Sequence, residues 1–239
     1  MSAHLRSACF VLIALIVSGC GGGGSDAGSA APQTPAAATF ALDAGYRSRV
    51  ASGSTENFDL SGSCTGTARI ATAAATVGSF EGVSGFAASQ VSTINFVNCL
   101  PATNTATGTT YYNASYVPIG LSIAGGEYSR FEAPPAPSPA VFPVSVRVGD
   151  TGTLSTSVTY TDSTKAVATG KRVVSYGVED DTATTAVANI ITRSYDLGNQ
   201  LLATQQSRFR MAADGSLTLR SIDVQFSTTS SIRLIYTPK

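Results

Sequence analysis

From residue 40 onward, apolar side chains recur at every second position in short runs, and Gly, Ser, Asn and Pro separate the runs. Val174, Tyr176 and Val178 share one phase. Between Val187 and Tyr195, Ile191 and Tyr195 oppose Ile190. Leu201, Ala203, Phe209 and Met211 alternate with Thr204, Gln206, Arg208 and Arg210. Leu217 and Leu219 fall on one face, and Ile222, Val224 and Phe226 follow in the opposite phase, which predicts a bulge near Arg220-Ser221. Ile232, Leu234 and Tyr236 close the chain. A period of two predicts half-buried strands. Leu197-Gly198-Asn199 and Asp214-Gly215 are placed as hairpin turns. Residues 144–239 therefore read as an antiparallel meander of about six or seven strands. No window after residue 20 sustains a 3.6-residue period, so no helix is predicted there.

The stretch 40–132 has the same character with shorter runs: Glu56–Ser61, Ala68–Thr72, Gln90–Asn98, Thr109–Tyr116 and Leu121–Ile123. Ile70 to Val77 is Ala-rich enough to suggest a helix, but its Thr residues favour strand or loop. In QVSTINFVN, apolar residues occupy both phases, with Val91 and Val97 on one and Ile94 and Phe96 on the other. That run is expected to be buried on both sides. Glu132 to Pro143 holds five Pro in twelve residues, which suits neither strand interior nor helix and marks 133–143 as an extended connector. The expected fold class is all-β: antiparallel meanders or a sandwich, as two β modules, 40–132 and 144–239.

The first residues are different. Arg6, with His4, precedes ten apolar residues from Ala8 to Val17, a run too short to span a bilayer but suited to a secretory leader. Val17-Ser18-Gly19-Cys20 follows. This resembles the bacterial lipoprotein lipobox: an aliphatic residue, two small residues, then a Cys whose thiol accepts diacylglyceryl. The resemblance implies cleavage after Gly19, leaving residues 1–19 as signal peptide and Cys20 as the lipidation site, carrying palmitate and diacylglyceryl chains. Two or more acyl chains anchor stably where one does not. Gly21, in place of an Asp, implies sorting to the outer membrane. Residues 20–39 then form a Gly/Ser/Ala-rich tether whose nineteen residues after Cys20 reach about 25 Å.

Composition narrows the chemistry. Lys plus Arg and Asp plus Glu are 15 each, so the net charge is zero, which argues against a nucleic-acid partner. The single His is His4, inside the leader, so the mature chain can build neither a Ser-His-Asp nor a Cys-His site, nor a His-ligated metal. No phosphate-cradling Gly motif opens a helix. No catalytic residue, no metal and no cofactor is expected, and the chain is not read as an enzyme. Once Cys9 leaves with the leader and Cys20 is lipidated, Cys64 and Cys99 remain, and in an oxidising compartment they read as a disulfide. Glu179-Asp180-Asp181 is the acidic run; it lacks the order of a calcium loop and reads as a solvated turn. Arg193, Arg208, Arg210, Arg220 and Arg233 fall on the C-terminal strands. They are either a contact for anionic headgroups or glycan phosphates, or the ordinary polar side of a half-buried sheet.

The phrases YTDSTK (160–165) and VSYGVEDDTATTAV (174–187) resemble those of uncharacterised proteobacterial lipoproteins, mostly over the C-terminal half, and that resemblance implies no activity. The expectation is an outer-membrane lipoprotein, on the periplasmic face or the cell surface. It would serve as a non-catalytic binding or structural module that meets an envelope component. The alternative is a carrier that holds a lipid or other amphiphile in a curved-sheet pocket.

Overall fold

The computed structural model describes residues 38–132, 142–227 and 232–239. Residues 1–37, which take in the leader and all but the last two residues of the tether, lie outside them, as do residues 133–141 of the Pro-rich connector and residues 228–231. Among the described residues one helix, α1 (Leu42–Ser52), precedes thirteen strands. The first stretch supplies β1 (Ser54–Gly62), β2 (Gly66–Thr72), β3 (Thr76–Phe80), β4 (Val83–Phe96), β5 (Thr103–Asn113), β6 (Pro118–Ile123) and β7 (Tyr128–Glu132). The second supplies β8 (Thr151–Tyr160), β9 (Ala168–Asp180), β10 (Thr185–Asp196), β11 (Leu201–Ala212), β12 (Leu217–Phe226) and β13 (Arg233–Pro238).

The fold is all-β, as expected, and every strand pairing is antiparallel. The strands do not stack as two layers, however. β1 pairs with β13 from Phe58↔Pro238 to Gly62↔Leu234, and β2 pairs with β4 from Gly66↔Phe96 to Thr72↔Gln90. These two non-local ladders close twelve strands into a barrel. Closure satisfies edge groups that a sandwich leaves open. The stretches on either side of the connector share this one sheet, because β7 pairs with β8 from Tyr128↔Tyr160 to Glu132↔Thr156.

Alternation sets the barrel's polarity. Val174, Tyr176 and Val178 of β9 meet Thr192, Ile190 and Ala188 of β10 on the inner wall, and Phe209 and Met211 of β11 meet Leu219 and Leu217 of β12. Outward positions carry Thr103, Thr105 and Thr107 on β5 and Thr204, Gln206, Arg208 and Arg210 on β11. This is the reverse of a lipid-facing barrel, which is apolar outside. The bulge lies where the phase change placed it: Arg208 opposes Ser221 and Phe209 opposes Leu219, leaving Arg220 as the extra residue.

Two expectations are corrected. β4 is buried on one side only: Ile94 and Phe96 point inward, while Val91 is 39% and Val97 83% exposed. The Val residues sit on the outer phase, which faces away from the core. Helix α1 was not predicted. Its buried residues Leu42, Tyr46, Arg49 and Val50 follow helical spacing, but a Gly and an Arg interrupt the apolar stripe. Both interruptions have a structural cause. A Cβ on Gly45 would run into the carbonyl of Gly215 in the β11–β12 turn, so the close seat of the helix requires Gly despite its cost of about 1 kcal/mol in a helix. Arg49 is buried with a partner, described below. The helix lies across one barrel end, held by Phe40↔Val146 bridging bonds, by Asp43 N–H to the Pro143 carbonyl (3.2 Å), and by Tyr46 against Phe142 (4.2 Å).

Candidate functional site

At the barrel end opposite the helix, the β1–β2 and β4–β5 connections are joined by the disulfide Cys64–Cys99, with Cα atoms 5.8 Å apart. The sequence expectation for this pair is met. Around it, Asn98 Oδ1 accepts the Thr65 backbone N–H at 2.7 Å. Cys20, the predicted lipidation residue, lies outside the described residues.

The five Arg side chains are on the outer wall of β10–β13, but most already have carboxylate partners. Arg210 Nε donates to Asp181 at 2.7 Å and Arg220 Nη1 at 3.1 Å, while Arg208 lies 3.4 Å from Glu179. Arg233 grips Asp223 on the neighbouring strand with contacts of 2.6 and 3.0 Å. Arg193 alone of the five has no ion pair among the described residues. The acidic run is thus engaged rather than simply solvated: Glu179 also accepts from Asn189 at 2.7 Å, and Asp181 from Thr185 at 2.7 Å. Burial raises the Asp181 carboxyl pKa, but the hydrogen bonds and charges of Arg210, Thr185 and Arg220 outweigh it and hold the group below the usual range. Exposed pairs of this kind contribute about 0–1 kcal/mol each, so the lattice is a modest cross-strand brace.

Two further ion pairs lie inside. Arg49 of α1 reaches the inner wall, donates to the Leu217 carbonyl at 3.1 Å, stands 3.5 Å from Glu56 of β1, and places its guanidinium 5.7 Å from the Phe209 ring centroid. Burial lowers its pKa to about 9, with Glu56 opposing the shift. Arg172 of β9 is 1% exposed and meets Glu127 of the β6–β7 turn at 2.9 Å; Glu127 also accepts from Ser129. Near the helix, burial pushes the Tyr112 hydroxyl up to about 12, and burial likewise raises the Tyr46 hydroxyl well above its ordinary value. Both tyrosine hydroxyls stay protonated across the neutral range and serve packing.

Alternation alone could have found two of these inner charges. Arg172 shares its phase with Val174, Tyr176 and Val178, and Glu56 shares its phase with Phe58 and Leu60. An Arg or Glu on the apolar phase of a strand predicts a buried pair, though not its partner. No family model matches this chain, and no curated protein or solved structure is significantly similar to it.

Proposed function

We propose that this chain is an outer-membrane lipoprotein, a non-catalytic binding or structural barrel anchored through acyl chains on Cys20 and meeting an envelope component with its outer wall and loops. The lipobox-like Val17-Ser18-Gly19-Cys20 supports the anchor. The observation that favours outside work over carriage is the filled interior. Phe40, Phe58, Ile70, Ile94, Phe209 and Tyr236 are at most 1% exposed, and the helix is seated across one end. The pocket between α1, the β5–β6 turn and Phe142, lined by Tyr46, Tyr116 and Leu154, holds about 20 Å³. That is room for about one water and too little for an acyl chain.

Two measurements test this reading. Cells fed labelled palmitate should incorporate label into the wild-type chain and not into Cys20→Ala, which should leave the membrane fraction. Unlabelled wild type, or an unchanged membrane fraction for Cys20→Ala, refutes the anchor. Solvent extraction of the purified protein should yield no stoichiometric lipid beyond the covalent chains; one bound amphiphile per barrel would establish the carrier instead.

A further inference from the structure

The β3–β4 hairpin is pinned to the outside of the barrel, and one edge of it is bare. Its turn, Glu81-Gly82, has φ of 48° and 84°, as a two-residue type I′ turn needs. Next to it, Phe80 lies over Gly120, where a Cβ would strike its ring, and packs on Tyr111 (4.8 Å) and Tyr128 (5.3 Å). Glu81 accepts from Lys165 Nζ at 2.6 Å and from the Tyr128 hydroxyl at 3.0 Å. The Lys165 hydrogen bond, with help from Tyr128 and Arg130, holds its carboxyl below the ordinary value. The hairpin is therefore rigidly presented.

β3 ends the strand order of the sheet and, among the described residues, pairs only with β4. A two-residue turn makes Phe80/Val83 a hydrogen-bonded pair, and alternation gives the same role to Gly78/Gly85 and Thr76/Ala87. The N–H and C=O groups of Val77 and Ser79 consequently point away from β4. Natural edges are blunted by charge, Pro, a bulge or a covering segment. TVGSF has no charge and no Pro, its register with β4 is unbroken, and Val77 is 88% exposed.

We infer that this edge is a self-association site at which β3 pairs antiparallel with β3 of a second copy, about a two-fold axis at Gly78. The register follows from the edge itself. With the axis at Gly78, Val77 of one copy opposes Ser79 of the other, and both are the residues whose backbone groups point outward. All four open groups per copy are then satisfied. An axis at Val77 or Ser79 would oppose one of these residues to Thr76's neighbour Ala75 or to the turn, and the Ala75 N–H is already taken by the Val50 carbonyl at 3.0 Å. Symmetry also suits the charges: Glu81 falls opposite Ala75, not opposite its own copy, and each Glu81 is neutralised within its own chain. The two exposed Val77 side chains become diagonal neighbours on one face, which covers apolar surface.

The inference does not depend on lipid anchoring. Full-length chains bearing Val77→Cys and Ser79→Cys are co-expressed, and membranes and soluble fractions are run on non-reducing gels after mild oxidation. Position 77 is exposed and position 79 lies at the surface, so folding is unaffected. A disulfide-linked dimer at least tenfold above the level given by Leu197→Cys, another exposed position, is expected. In the same fractions, Val77→Lys should shift the wild-type dimer to monomer by sedimentation. A dimer no more abundant than the Leu197→Cys control, a monomeric wild type, or capture of a different protein at 77 would each overturn the proposal.

Discussion

The ion pair between Arg49 and Glu56 gives the sharpest energetic test of the helix seat. The side chains are 7% and 8% exposed, and the guanidinium is shared between Glu56, the Leu217 carbonyl and the Phe209 face. Glu56→Gln leaves the guanidinium buried without a counter-charge, which costs about 3–5 kcal/mol. Arg49→Met keeps the bulk but removes the cationic partner of the buried Glu56 carboxylate, and the cost is again about 3–5 kcal/mol. In the double variant both charges are gone, and what remains lost is one hydrogen bond and the ring contact, about 2–4 kcal/mol together. The two single costs should therefore fail to add by at least about 2 kcal/mol. Urea unfolding with the disulfide intact measures all four corners of the cycle. Wild type should also gain stability as pH rises through about 9. The Arg49 pKa is lowered in the fold. Folding is opposed while the group is charged, and that opposition lessens once the folded form releases its proton. Additive single effects, within 0.5 kcal/mol, would refute the claim that the helix is seated by a coupled buried pair.

Three other outcomes follow from the same geometry. Replacing Cys64 and Cys99 by Ser opens a loop with a sequence separation of 35, and chain entropy puts the loss at about 4 kcal/mol, read as a lower urea midpoint. Gly120→Val places side-chain atoms where the Phe80 ring lies; overpacking of about 1–3 kcal/mol should release the hairpin, making the Glu81-Gly82 turn a new cleavage site in limited proteolysis. Asp181→Asn should cost about 1–2 kcal/mol at pH 7 by removing two Arg partners. Because the carboxyl is held below its usual 3.8, that stabilisation is complete above this pH and disappears as pH falls through the lower folded value, so wild type and variant should converge in acid.

How much of this was legible in the sequence depended on the range of the interaction. The hairpins β10–β11 and β11–β12, the bulge at Arg220 and the inward sets of β9 and β11 were read from alternation and turn residues, because each is decided within about a dozen residues. The disulfide followed from counting thiols. Closure was not legible: β1–β13 and β2–β4 join strands whose own patterns say which face is apolar but nothing about which strand lies alongside. Helix α1 was hidden because two of its contact positions are Gly45 and Arg49, chosen for a neighbour's carbonyl and a partner's charge rather than for apolarity. The five outer Arg residues were located correctly on strands, yet their use was not readable, since Asp181 lies 29 and 39 residues from its two partners.

Those hidden long-range pairings also explain why the two halves form one unit. Cut at the connector, the first half would expose the β7 edge that β8 covers and the β1 edge that β13 covers, each with five residue pairs in register. The second half would lose the helix, and with it Arg49 over Phe209 and the seat beneath Gly215. Each half would carry two newly opened edges and an unroofed apolar wall, the combination that leads isolated β segments to associate. A connector with five prolines in twelve residues does not weaken this coupling, since the strands it links are already adjacent in the sheet and it need only span the gap between them. The proline run marks a covalent passage, whereas the cooperative unit is set by which edges the barrel must close.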